Sequence, residues 1–61
     1  MFATAITPKS ITLTMDGLQR TIRETHPQWE ATRILLKDMA AAGRAEPLPS
    51  ERDSLVQWLD F

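Results

Sequence analysis

Cysteine is absent from this 61-residue chain, tyrosine is absent too, and there are only one histidine and two glycines. Without cysteine there is neither a disulfide nor a thiolate zinc site, and nothing in the composition calls for an oxidising compartment. A lone histidine, His26, is too little for a metal cage built from protein ligands. Glycine-rich loops of the kind that cradle phosphates are missing, as are internal repeats and low-complexity runs. The longest apolar run is Met39 to Ala42, far short of the roughly 20 residues that cross a bilayer. The opening MFATAITPKS has no basic flank ahead of a long apolar stretch, so no signal peptide is expected. These absences lead to an expected cytoplasmic protein with no metal, no cofactor and no membrane span.

What is present is ordinary for a folded domain. The hydrophobic fraction is 43% and the charged fraction 25%, which argues against disorder. A chain this short buries only about 60% of the surface its unfolded form exposes. With disulfides and metals excluded, association is the remaining way to reinforce so small a core, and a homodimer or docking on a larger partner is expected. The net charge of −1 is divided unevenly. Residues 1–37 carry five basic and three acidic side chains, and residues 38–61 two basic and five acidic ones. That split can steer a charged partner or arise by chance in a small protein.

The clearest structural signal is ITLTMDGLQRTI, from Ile11 to Ile22. Two alternating runs flank Asp16-Gly17, a pair suited to a turn in which both central residues need positive φ. A two-residue turn sets Met15 opposite Leu18, Leu13 opposite Arg20 and Ile11 opposite Ile22. Those six share the face expected to be buried, with Arg20 across it or at its rim, while Thr12, Thr14, Gln19 and Thr21 share the other. Upstream, Phe2, Thr4 and Ile6 alternate with Ala3 and Ala5 ahead of Pro8. This reads as a third strand or swapped arm, or equally as a frayed terminus.

Downstream come two helices. Thr25 with Gln28 has capping-box spacing and Pro27 suits a first turn; His26 as the cap with Pro27 after it is the alternative. Gly43 supplies the stop. At 100° per residue, Trp29, Ala31, Thr32, Leu35, Leu36, Met39 and Ala42 fill one arc, and Ile34 falls among the charged residues opposite. After a connector stiffened by Pro47 and Pro49, Ser50 reads as the cap of a second helix with Leu55, Val56, Trp58 and Leu59 as its stripe and Phe61 near Trp58. Asp60 sits at that helix's negative end and should fray it unless an arginine or a partner meets it. The expected architecture is therefore one α+β domain, a ββαα unit with strands about 10–15 and 18–23 and helices about 27–42 and 51–60, with an optional N-terminal strand.

No constellation here reads as catalytic. His26 lacks a second ligand or a nucleophile at a recognisable spacing, so it is expected to serve locally at the start of the helix. Asp53, Asp60, Glu46 and Glu51 lie on a solvated face or a connector. Lys9, Arg20 and Arg23 gather on or near the hairpin and, with its polar face, allow a second reading as a dimeric nucleic-acid-binding regulator, set against a pI of about 5.6. Tryptophan and phenylalanine supply core area but also concentrate at binding hot spots. The expected partner-binding residues are Ile34, Trp29, Trp58 and Phe61, together with Arg20 and Arg23, and the open hairpin edges present unpaired backbone groups.

The order ITLTMDG, a second strand, then THPQWEATRILLKDM is similar to a segment near the N-terminus of rIIB-like phage proteins, the rapid-lysis group. The residues that carry the likeness are Ile11, Leu13, Asp16, Gly17, Thr25, His26, Trp29, Leu35 and Leu36, with Leu55, Val56 and Trp58 following loosely. The resemblance spans most of residues 10–60 and only a fraction of the longer family protein. It implies a phage or prophage origin and a role in overcoming host exclusion, and it carries no enzymatic activity to any residue here. The functional expectation is a small non-catalytic protein that binds and inhibits or sequesters a host protein, a component of antiviral defence.

Overall fold

A computed structural model describes all 61 residues. The chain runs β1 (Phe2–Ile6), β2 (Ser10–Met15), β3 (Leu18–Arg23), α1 (Trp29–Ala41) and α2 (Pro49–Leu59). The strands form one antiparallel sheet in the order β1-β2-β3. The optional N-terminal segment is thus a strand of the sheet, paired within its own chain.

Both hairpin turns have local causes. Asp16 and Gly17 take φ values of 51° and 81°, the two positive angles that a type I′ turn requires. The register is the expected one, with Met15 opposite Leu18, Leu13 opposite Arg20 and Ile11 opposite Ile22. In the first turn, Pro8 and Lys9 are wrapped by Thr7, whose Oγ1 accepts the Ser10 N–H at 2.9 Å and the Lys9 N–H at 3.3 Å. That turn sets Phe2 against Met15, Thr4 against Leu13 and Ile6 against Ile11.

Helix α1 begins at Trp29, two residues later than expected. His26 Nδ1 accepts the Gln28 N–H at 3.0 Å and the His26 carbonyl accepts the Trp29 N–H at 3.0 Å. A tight preliminary turn held by His26 therefore feeds the helix. The N-cap position of α1 is Gln28, which makes no side-chain cap bond, so neither Thr25 nor His26 caps the helix itself. At the other end Gly43 has φ 69°. The Gly43 N–H donates to Ala40 and the Arg44 N–H to Met39, which closes a Schellman motif.

Helix α2 starts at Pro49 and not at Ser50's far side, so Ser50 lies within the first turn instead of capping it. Pro49 has no N–H to leave orphaned and its fixed φ starts the helix early. The Glu51 carboxylate reaches back to accept the Leu48 N–H at 2.9 Å. Leu48 has no side-chain acceptor, so only this half of a capping box exists.

The core comprises Ile11, Leu13, Met15 and Ile22 from the sheet, Leu36 and Met39 from α1, and Leu55 and Leu59 from α2. Both helices cover the same face. Leu18, expected in that set, is half exposed; it stands beside the turn on an edge strand, with a neighbouring strand on one side only. Val56, expected in the stripe of α2, is exposed as well. The accessible surface of 4116 Å² is close to the roughly 4000 Å² of a monomeric protein of this mass. One copy closes its core to the ordinary extent, so association has to be driven by what the surface offers.

Candidate interaction surface

The two edges of the sheet are chemically different. Along β1, the Asp16 N–H donates to Met1 and the Thr7 N–H to the Ser10 carbonyl. Antiparallel ladders alternate between residues bonded inward and residues bonded outward. Ala3 and Ala5 therefore spend their backbone groups on β2, and Phe2, Thr4 and Ile6 direct theirs to the open edge. No charged residue and no proline lies within Phe2–Ile6. Natural edge strands are usually protected by such residues. The β3 edge follows that rule, since Arg23 is among its outward-bonding residues with Gln19 and Thr21.

An apolar groove lies beside the β1 edge. It has a volume of about 190 Å³ and runs between β1 and the C-terminal half of α1, lined by Phe2, Ile6, Leu36, Met39 and Ala40 among others. Ile6 is 58% exposed there. The one charge in the lining is Arg44, whose guanidinium is held by Glu51 in a two-pronged ion pair, Nη2 to Oε2 at 3.0 Å. Arg44, and then the Leu48 N–H, hold the Glu51 carboxyl down at about 2. The groove thus offers apolar surface without an unneutralised charge.

The residues singled out from the sequence fall in several places. Trp29, Trp58 and Phe61 are partly buried and pack on the rim of the core. Ile34 is 47% exposed on the side of α1 turned away from the sheet. Arg20 lies at the rim of the buried face: its Nε donates to the Asp60 carbonyl at 3.1 Å, and its guanidinium sits 5.5 Å from the centre of the Phe61 ring. Asp60 is left-handed at φ 58°, and it is its backbone carbonyl, not its carboxylate, that Arg20 meets at the end of α2. Arg52 forms an ion pair with Asp16, and these two contacts fasten α2 to the β2–β3 hairpin.

The basic group of the hairpin is divided. Arg20 goes to the helix side, and Lys9 and Arg23 line a polar cavity of about 470 Å³ with Ser10, Thr21, Glu24 and Thr25. Neither Lys9 nor Arg23 has a carboxylate partner, unlike Arg33, Arg44 and Arg52. Next to that cavity the sheet's open face is tied by a Thr12–Thr21 hydroxyl bond of 2.9 Å. No group of three or more His, Asp or Glu side chains is close enough together to hold a metal ion. His26 spends Nδ1 on the backbone.

Of the two hairpin edges named from the sequence, that of β3 is open and that of β2 is covered by β1; the β1 edge itself was not singled out. The signal was present in the uncharged alternation of FATAI. Compared with known families, with curated proteins and with solved structures, the chain matches none.

Proposed function

We propose that this chain is a small, non-catalytic protein-binding module that takes an extended segment of a partner protein onto the edge of β1. The observation that carries the reading is the uncharged, open β1 edge with an apolar groove along its helix side. Strand addition of this kind draws affinity from main-chain hydrogen bonds and specificity from the pockets that alternate side chains enter. Here Phe2, Thr4 and Ile6 supply the main-chain groups and the groove receives the side chains. The likeness to rIIB-like phage proteins supports a phage or prophage origin, with a host defence protein as the partner that the module occupies and so inhibits or sequesters in the host cytoplasm.

A second reading is favoured by the two unpaired cations, Lys9 and Arg23, in the polar cavity: a nucleic-acid-binding regulator using the open face of the sheet. The two readings separate on the same samples. Thr4→Pro removes one outward N–H and leaves the β1–β2 ladder whole. In the strand-docking reading, a partner captured from host lysate is lost with Thr4→Pro and with Ile6→Lys, and is retained with Lys9→Ala plus Arg23→Ala. In the nucleic-acid reading, binding falls steeply with salt and disappears with the Lys9 and Arg23 changes. Capture indifferent to Thr4→Pro and Ile6→Lys would overturn the strand-docking proposal.

A further inference from the structure

We infer that the β1 edge is self-complementary, and that a second copy of this chain pairs on it about a twofold axis through Thr4. The inference rests on the reading of that edge as a strand acceptor and names one occupant for it. The outward-bonding residues Phe2, Thr4 and Ile6 are placed symmetrically about Thr4. An antiparallel partner aligned Thr4 to Thr4 brings Phe2 opposite the partner's Ile6 and Ile6 opposite the partner's Phe2. Every outward residue then faces an outward residue, and each facing pair exchanges both of its hydrogen bonds. Moving the axis to Ala3 leaves the groups of Ile6 unmatched, and moving it to Ala5 leaves those of Phe2 unmatched.

The side chains agree with the same register. Phe2, Thr4 and Ile6 stand on the helix face, because their partners Met15, Leu13 and Ile11 are buried there. The twofold therefore lays Phe2 against the partner's Ile6 twice, covering an isoleucine that a single copy leaves 58% exposed. On the opposite face only Ala3 and Ala5 meet, which leaves room for close approach. The strand carries no charge, the nearby Arg44 is neutralised by Glu51, and the terminal ammonium beside Phe2 lies 4.0 Å from the Asp16 carboxylate, so the paired strands themselves bring no like charges face to face. The area sets the strength. A five-residue edge with its groove buries on the order of 400 Å² per copy, about half of what a standard stable interface uses, which makes the pair a weak one. A weak pair leaves the edge available to a better-matched strand.

The test exploits the lack of native cysteine. Facing residues of a hydrogen-bonded antiparallel pair lie about 5.5 Å apart at Cα, within disulfide range. Thr4→Cys should form a disulfide-linked dimer under mild oxidation at least about tenfold faster than Ala5→Cys, whose two copies lie diagonally apart in this register, and than Ile34→Cys. In the unmodified protein, amide NMR signals of Phe2, Thr4 and Ile6 should shift as concentration rises toward the millimolar range, and Ile6→Lys should abolish those shifts. Equal crosslinking rates at Thr4, Ala5 and Ile34 would overturn the inference, as would shifts that avoid β1. If the crosslinking fails while partner capture remains sensitive to Thr4→Pro, the dimer falls and strand docking stands; if capture is insensitive as well, both fall.

Discussion

Arg44 and Glu51 close the connector between the two helices with a two-pronged ion pair, and the same carboxylate receives the Leu48 N–H that opens α2. Arg44 itself is placed by the Schellman bond from its N–H to Met39. One side chain at the end of α1 and one at the start of α2 therefore fix the angle of the turn between them. Residues 44–48 contain no regular structure of their own, so this pair supplies what packing does not.

The pair gives the protein an acid-sensitive element. The folded Glu51 carboxyl is held at about 2, against a usual value of 4.5. A depressed carboxylate stabilises the fold above its unfolded value and loses that contribution as pH falls through the folded one. Glu51→Gln should lower the melting temperature well above pH 4.5, and the gap from the unmodified protein should close as pH falls toward 2. The amide oxygen of glutamine still accepts the Leu48 N–H, so the comparison isolates the charge. Glu30, lowered by Arg33, loses its contribution in the same direction, but in both proteins equally. Thermal melts at a series of pH values measure this.

His26 is used as a backbone acceptor. His26→Ala leaves the Gln28 N–H without its partner and should cost about 1 kcal/mol, the usual net worth of one hydrogen bond. His26→Asn offers a side-chain oxygen in its place and should recover most of that. Urea unfolding of the three proteins decides it. Equal losses in both variants would mean that the ring's packing matters and its nitrogen does not.

Thr32 is fully buried on α1, and its hydroxyl has no hydrogen-bond partner. An unsatisfied buried polar group costs on the order of 1–3 kcal/mol. Thr32→Val keeps the branched shape and removes the hydroxyl, so it should raise stability by about 1 kcal/mol. A loss of stability on equilibrium unfolding would show that the hydroxyl has a partner in solution, water included.

Arg20 joins the sheet to the end of α2. Arg20→Ala removes the bond to the Asp60 carbonyl and the cover over Phe61, and should cost about 1–2 kcal/mol. Arg20→Lys restores a charge near the helix end without the planar fork and should recover only part. Hydrogen exchange should locate the loss in the last turn of α2, with α1 unchanged.

Much of this fold could be read from residues that act on near neighbours. Asp16-Gly17 specifies its turn, the turn specifies the register from Ile11 to Ile22, and the helical phase separates Ile34 from Leu36 and Met39. What could not be read depends on competition between adjacent signals or on partners far along the chain. Ser50 is a good cap, yet Pro49 beside it starts the helix first. Thr25 and His26 both suit the start of α1, yet the helix begins later with Gln28 at its N-cap, and the histidine nitrogen serves the turn before it. Phe2–Ile6 reads the same as a fraying end or as a strand until β2 is free to receive it. The separation of Arg20 from Lys9 and Arg23 follows from strand pleat combined with the reach of Arg20 to a residue forty positions away, which no local pattern encodes.

Ile34 and Ile6 provide the sharpest comparison, since both are large, apolar and about half exposed, yet they occupy different surfaces. Ile34 projects from α1 away from the sheet, so Ile34→Asp should change stability by less than about 1 kcal/mol, the small cost of aspartate within a helix. Ile6→Lys sits at an edge where charge is tolerated and should be similarly mild for the fold. Their effects on binding should diverge. Ile6→Lys should abolish partner capture and the concentration-dependent shifts of the β1 amides, whereas Ile34→Asp should leave both intact. The opposite result, with capture lost in Ile34→Asp and kept in Ile6→Lys while both variants melt as the unmodified protein does, would move the docking surface from the strand edge to the outer side of α1.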